Sequence, residues 1–152
     1  MTIADDHFFK TKSFVKFLLR SKTKFSVHSP FIYQLITLCL ERPRGFKKLD
    51  SSLQIDRLTI YHSNQNKEDV GDFIIFVCDE KIDFETLSKD IEIHPNNLLI
   101  FFPEPHQNKK RNALWITLKN NSNLNVSIDL FKLGLLYKRP NQIETHLSIR
   151  LL

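Results

Sequence analysis

Apolar residues recur along this chain first with a helical period and later in short runs and alternations of the kind strands carry. Residues 6–20, DHFFKTKSFVKFLLR, set Phe9, Phe14, Phe17 and Leu18 at irregular helical spacings with Lys12, Lys16 and Arg20 between them, which predicts an amphipathic helix. Residues 22–27 read as a connector. His28-Ser29-Pro30-Phe31 then opens a second helix running to about Leu40. Ser29 can accept from the exposed first-turn amides, and Pro30 occupies the first helical position, where its missing N–H costs nothing. Pro43 and Gly45 end this unit, and the polar-to-basic residues 43–54 predict a linker.

The pattern then turns to strands. Leu58–Tyr61 predicts a short strand. Residues 72–78, DFIIFVC, predict a stronger one, whose continuous apolar run implies burial on both faces in the middle of a parallel sheet. Residues 83–92 predict a short helix, Leu98–Phe102 a second buried strand stopped by Pro103 and Pro105, and residues 107–119 a helix carrying Ala113, Leu114 and Trp115. Val126–Leu130 alternates like a half-buried strand, Leu133–Tyr137 can pair back on it, and His146–Leu151 alternates again. The order is that of an α/β domain over 55–152, with a mixed sheet and an antiparallel C-terminal hairpin, preceded by a helical unit over 1–42.

At 152 residues the chain can bury a core without disulfides or metal. Thirteen Phe against one Met and one Trp assign the core volume to aromatic rings, each removing ~150–250 Å² from water. Cys39 and Cys78 stand far apart without a CxxC partner, so they read as reduced, buried thiols. Residues 1–10 lack the basic start, apolar centre and cleavage site of a signal peptide, and no apolar run approaches the ~20 residues that span a bilayer; a cytoplasmic location is the expectation.

Charge changes the picture more. Residues 1–48 hold ten Lys or Arg against three Asp or Glu, whereas the rest carries a small acidic surplus, so the whole net charge of +5 arises in the first third. That asymmetry predicts an anionic partner for the N-terminal segment: nucleic acid, a membrane surface or an acidic protein. The candidate anion- or RNA-binding residues are Lys10, Lys12, Lys16, Arg20, Lys22 and Lys24, with Phe8, Phe9 and Phe25 placed to stack on bases if exposed.

Candidate chemistry is sparse. In an open α/β sheet, reactive groups gather beyond the carboxyl ends of the strands, which singles out Asp79 and Glu80 after the first strong strand and Glu104 and His106 after the second. Carboxylates and a histidine there could hold a metal or move a proton, or could be loop residues in water. His28 immediately precedes a helix. No HxxxH, HExxH, GxSxG or GxxxxGK[ST] pattern is present. The three glycines, Gly45, Gly71 and Gly134, stand alone, so no Gly-rich strand-to-helix turn brings backbone close to a nucleotide cofactor.

Two blocks of the chain resemble the ends of a family of bacterial class I S-adenosylmethionine-dependent methyltransferases. The first is Phe17-Leu18-Leu19-Arg20-Ser21-Lys22 followed by His28-Ser29-Pro30-Phe31; the second runs from Asp72 to Arg150 and includes DFIIFVCDE, LLIFF, VSIDLFKLGLLYKR and HLSIR. The resemblance covers roughly two thirds of the chain and implies a partial, Rossmann-like methyltransferase sheet. The family's cofactor-binding half, with its Glu-Leu-Gly-x-Ser-x-Gly type turn, has no counterpart: only about residues 43–60 separate the blocks. Cys78 stands where the family's acidic residue would end the first strand, and Pro103-Glu104 where an Asp-Asp pair would follow the second.

The resemblance therefore implies a shortened, non-catalytic, methyltransferase-like pseudoenzyme acting as a binding or accessory protein, with no catalytic, cofactor-binding or metal residues and no cofactor of its own. His28, Asp79, Glu104 and His106 would line what remains of the cleft. Two alternatives stand beside it: an RNA- or ribonucleoprotein-binding protein, and a methyltransferase completed by a chain that supplies the cofactor half. Loss of the cofactor strand would also bare an apolar sheet edge beside residues 73–77, to be covered by Ile55–Tyr61 or by a protein partner or second copy.

Overall fold

A computed structural model describes residues 2–41, 45–64, 74–93, 97–139 and 142–151. Among these residues five α-helices surround a five-stranded mixed sheet: α1 (Ile3–Arg20), α2 (Pro30–Leu35), α3 (Ser51–Ser63), β1 (Ile74–Val77), α4 (Phe84–Ile93), β2 (Leu98–Pro103), α5 (Lys109–Lys119), β3 (Val126–Asp129), β4 (Leu133–Lys138) and β5 (Thr145–Ser148). The strand order is β1-β2-β4-β3-β5. β1 and β2 run parallel, as do β3 and β5, and β4 lies antiparallel to both of its neighbours. No helix among the described residues is long and apolar enough to cross a membrane.

Alternation along the strands builds a core on each side of the sheet. Leu99 and Phe101 of β2 with Leu133, Leu135 and Tyr137 of β4 face α2 and α3, where Ile32, Leu35, Ile36 and Leu58 are buried. Leu98, Ile100 and Phe102 with Leu136 face α4 and α5, against Leu87, Ile91, Trp115 and Leu118. Gly134 lies on that second face directly under the Trp115 ring, so that any Cβ would enter the indole. α2 thus shares one core with the strands, and the stretch read as a linker adds buried Phe46 and half-buried Leu49 to that core before its last residues begin α3. Pro43, Gly71 and His94 lie outside the described residues.

Local signals explain the helix limits. Thr2 and Asp5 form a capping box, with the Asp5 amide donating to Thr2 Oγ1 at 3.2 Å and the Thr2 amide to Asp5 Oδ2 at 3.1 Å, which starts α1 three residues before the apolar period becomes visible. The hydrogen bonds from Thr2 also hold the Asp5 carboxyl below its usual range. Ser29 caps α2 at Ile32 N, and Pro30 occupies its first turn. The helix then widens into a π-helical turn over Ile36–Leu40, closed by Glu41 N–H donating to Ile36 O at 2.8 Å.

Three strand expectations are corrected. Leu58–Tyr61 is helical, part of α3: Asp50 caps it at Leu53 N, and Ile55, Leu58 and Tyr61 meet the core at helical spacing, a period that a four-residue apolar window conceals. Ile55–Tyr61 accordingly packs on a face of the sheet and does not extend it past β1. β1 is an edge strand among the described strands, not the mid-sheet strand its apolar run implies, and the edge expected to be bare beside residues 73–77 carries Ile74 and Val77 at 40% and 38% exposure; β2, between β1 and β4, is buried from Leu98 to Phe102. Val126–Asp129 is buried throughout: the strand lies between β4 and β5, Val126 and Ile128 enter the core shared with α2 and α3, and Arg20 and His106 meet Asp129.

Candidate functional site

The strand-end groups do not converge on one cleft. β2 ends at Pro103, and Glu104 follows with φ of +50°; β3 ends at Asp129, and Phe131 turns the chain back into β4 with φ of +73°. Left-handed backbone at non-glycine residues costs energy and persists where the surroundings hold it. Here the hold is visible. Phe131 N–H donates to Asp129 Oδ1 at 2.8 Å, and the Phe131 ring is packed by Phe14 and Phe17 of α1 and stacked on His106 at 5.0 Å.

Asp129 is the hub of this arrangement. His106 Nε2 donates to its Oδ2 at 2.6 Å, and Arg20 Nη2 of α1 donates to the same oxygen at 3.2 Å. Asn112 Nδ2 donates to the Pro105 carbonyl at 3.2 Å and to His106 Nδ1 at 3.1 Å. Because a carbonyl can only accept, the Pro105 contact fixes the amide nitrogen there, His106 Nδ1 must accept, and the ring proton sits on Nε2. Both imidazole nitrogens are thereby engaged, and His106 and Asp129 are both buried.

A separate cleft of about 420 Å³ opens beyond the carboxyl ends of β1 and β2, between α4 and the start of α5, and is lined by Asp79, Glu80, Gln107, Asn108, Lys110 and Arg111 among others. Arg111 is only 7% exposed. Its Nε and Nη2 donate to Pro103 O at 3.1 and 2.8 Å, Nη2 also donates to Cys78 O, and the guanidinium lies 4.0 Å from the Phe102 ring centroid. The side chain ties the ends of the two parallel strands together through carbonyls. Asp79 Oδ1 meanwhile accepts from Lys81 N at 2.9 Å, a local turn contact.

The remaining predicted residues are dispersed. Glu104 is ion-paired with Lys10 at 3.5 Å. His28 is exposed ahead of α2, remote in sequence and element from either strand end. The six predicted cations also divide. Lys12, Lys16 and Arg20, at i, i+4 and i+8, share one stripe of α1. They line two contiguous cavities of about 460 and 400 Å³ against α5, which adds Lys109 and Lys119. Asp5 is the one acidic residue in that lining. Lys24 is paired with Glu41 at 2.8 Å, and the Lys22 backbone bridges to the strand end at Ile149, with Arg150 N–H donating to Lys22 O.

A second polar cluster lies on the opposite face of the sheet. Buried His62 shares a 2.9 Å hydrogen bond with Tyr137 Oη, and Arg139 stands over Phe31 at 3.6 Å. Burial, reinforced by the Arg139 charge, lowers the His62 pKa to about 4, and burial raises Tyr137 well above its ordinary value. Burial likewise pushes the Cys39 thiol up to about 11 and raises Cys78, as expected of inert core thiols. Among the described residues no three His, Cys, Asp or Glu side chains are grouped to hold a metal ion.

Asp129 and Arg111 escaped the sequence reading. A lone acid inside VSIDLF was the available signal for Asp129, since a charge in a buried strand demands a partner. Arg111 gave none, because a basic residue in KKRNALWITLK reads as solvated. No family model, curated protein or solved structure matches this chain.

Proposed function

We propose that this chain is a non-catalytic, methyltransferase-like binding or accessory protein whose ligand is polyanionic. The observation that carries the reading is how the strand-end groups after β2 and β3 are held, away from the cleft that Asp79 and Glu80 line. His106 has both ring nitrogens occupied, Asp129 satisfies three donors, and Glu104 is paired with Lys10. None of the three is left as a base or nucleophile poised over the 420 Å³ cleft, which they do not line. The antiparallel β3–β4 hairpin following two parallel strands is consistent with the family resemblance.

The cationic α1–α5 groove supplies the ligand class. Lys12, Lys16, Lys109 and Lys119, beside the Arg20 that Asp129 holds, present closely spaced positive charge suited to phosphate, whether of RNA or of lipid headgroups. Isothermal titration with S-adenosylmethionine should give no heat, and clear micromolar binding would overturn the non-catalytic reading. Heparin chromatography should show retention that falls steeply with salt; elution in the void at low salt would remove the polyanion.

A second reading, a methyltransferase completed by another chain, draws on β1, whose outer edge pairs with no strand among the described residues. Mass photometry of the purified protein and of its native complex decides it: a monomer in both leaves that reading without support.

A further inference from the structure

We infer that α1 is an interfacial anchor that seats the protein on an anionic lipid bilayer; this rests on the polyanion reading and names its source. One face of α1 is committed to the protein: Phe17 is buried, Phe14 and Phe17 pack on Phe131, and Arg20 reaches Asp129. The opposite face carries Phe8, Val15 and Leu19, separated by seven and four residues and so aligned in one ridge. These side chains are 71%, 52% and 84% exposed. Such a ridge, on a helix that the sheet already holds in place, costs no folding on binding and waits for an apolar phase.

Cations bracket the ridge on both sides. Lys12 and Lys16 lie toward α5. On the other side a groove of about 190 Å³ beside Phe14 and Leu18 is lined by the exposed Lys47, Lys132 and Arg150. Acidic residues of α1 are confined to its first turn, where Asp5 and Asp6 lie, and Glu104 beside the helix is paired with Lys10. An apolar ridge flanked by Lys and Arg is the composition of a helix that lies in the headgroup boundary, its apolar side entering the acyl region while cations meet anionic lipid.

The two rival occupants fit less well. RNA offers the aromatic Phe8 a stacking partner but gives the aliphatic Val15 and Leu19 nothing. A second copy would bring the same bracket of cations against this one, so ridge-to-ridge pairing is opposed by like charge.

Flotation of the full chain with phosphatidylcholine vesicles and with phosphatidylcholine–phosphatidylserine vesicles tests the anchor, alongside heparin chromatography and titration of single-stranded RNA. The chain should float with the anionic vesicles only. The double variant V15S/L19S, altered at exposed positions and checked for unchanged circular dichroism, should lower the partition by about tenfold or more while keeping its heparin retention. Lys12→Ala and Lys16→Ala should each lower it by about fivefold. Heparin retention without flotation overturns the anchor and leaves the polyanion reading standing, whereas loss of both removes both. Equal flotation with neutral vesicles, or tight RNA binding untouched by V15S/L19S without vesicle binding, also overturns it.

Discussion

His106 Nε2 sits 2.6 Å from Asp129 Oδ2, with Arg20 on the same oxygen, so a histidine from the end of β2, an acid from the end of β3 and the last turn of α1 form one buried joint. Removing the acid leaves its donors unpaired in low dielectric. Asp129→Ala should cost about 3–5 kcal/mol in urea denaturation, more than Arg20→Ala, whose side chain is half in water and so screened. Equal, small losses for both variants would mean that the joint does not hold α1.

The two described glycines should fail for opposite reasons. At Gly134 the backbone is ordinary, but an added Cβ collides with the Trp115 ring, so Gly134→Ala should destabilise by about 1–3 kcal/mol, and its cost should shrink in a Trp115→Leu background. Gly45 has open space around it but a φ of +101°, so Gly45→Ala should cost about 1 kcal/mol that no second-site truncation relieves. Denaturation midpoints of the parent, the two glycine variants, Trp115→Leu and the two double variants separate the two causes.

Arg111 replaces the usual carboxylate partner with the carbonyls of Cys78 and Pro103. Arg111→Met, which keeps much of the stem, should lose about 3 kcal/mol and speed hydrogen exchange of the Cys78 amide, which donates to Phe101 O at 2.8 Å across β1 and β2. Unchanged exchange in β1 would show that the guanidinium does not join the strands.

Acid should expose His62. Its pKa falls from an ordinary 6.5 to about 4 in the fold, so the unfolded chain takes up the proton first on acidification. The stability it contributes is whole above pH 6.5 and declines as pH drops toward 4, by about 3 kcal/mol at most. His62→Gln, which still bonds Tyr137, should flatten the melting temperature across that window. A slope identical to that of the parent protein would assign the acid loss to other groups.

Much of the architecture was legible because the deciding signals are local. Ser29-Pro30 fixed the start of α2, and the apolar runs and turn residues between 98 and 137 placed β2, α5 and the β3–β4 hairpin. Where the reading failed, neighbours decided. Leu58–Tyr61 is as apolar as a strand, but only the core contacts of Ile55, Leu58 and Tyr61 reveal a helical period. The apolar run at residues 73–77 by itself implies a mid-sheet strand, because an apolar pattern does not say how many strands flank it; only the missing segment before it pointed to the edge that β1 occupies.

Of the candidate site, the sequence by itself determined the inventory: a basic first third, no Gly-rich cofactor turn, and acids with a histidine after two strands. Charge and backbone permissiveness belong to residues, and they survive any fold. Tertiary structure decided which of those groups meet. It paired Glu104 with Lys10, closed His106 between Asp129 and Asn112, gathered Lys12, Lys16 and Arg20 with Lys109 and Lys119, and turned Phe8, Val15 and Leu19 to water. Some of these partnerships reach far along the chain, Arg20 and Asp129 being 109 positions apart, and only the sheet order that brings α1 across the strand ends creates them.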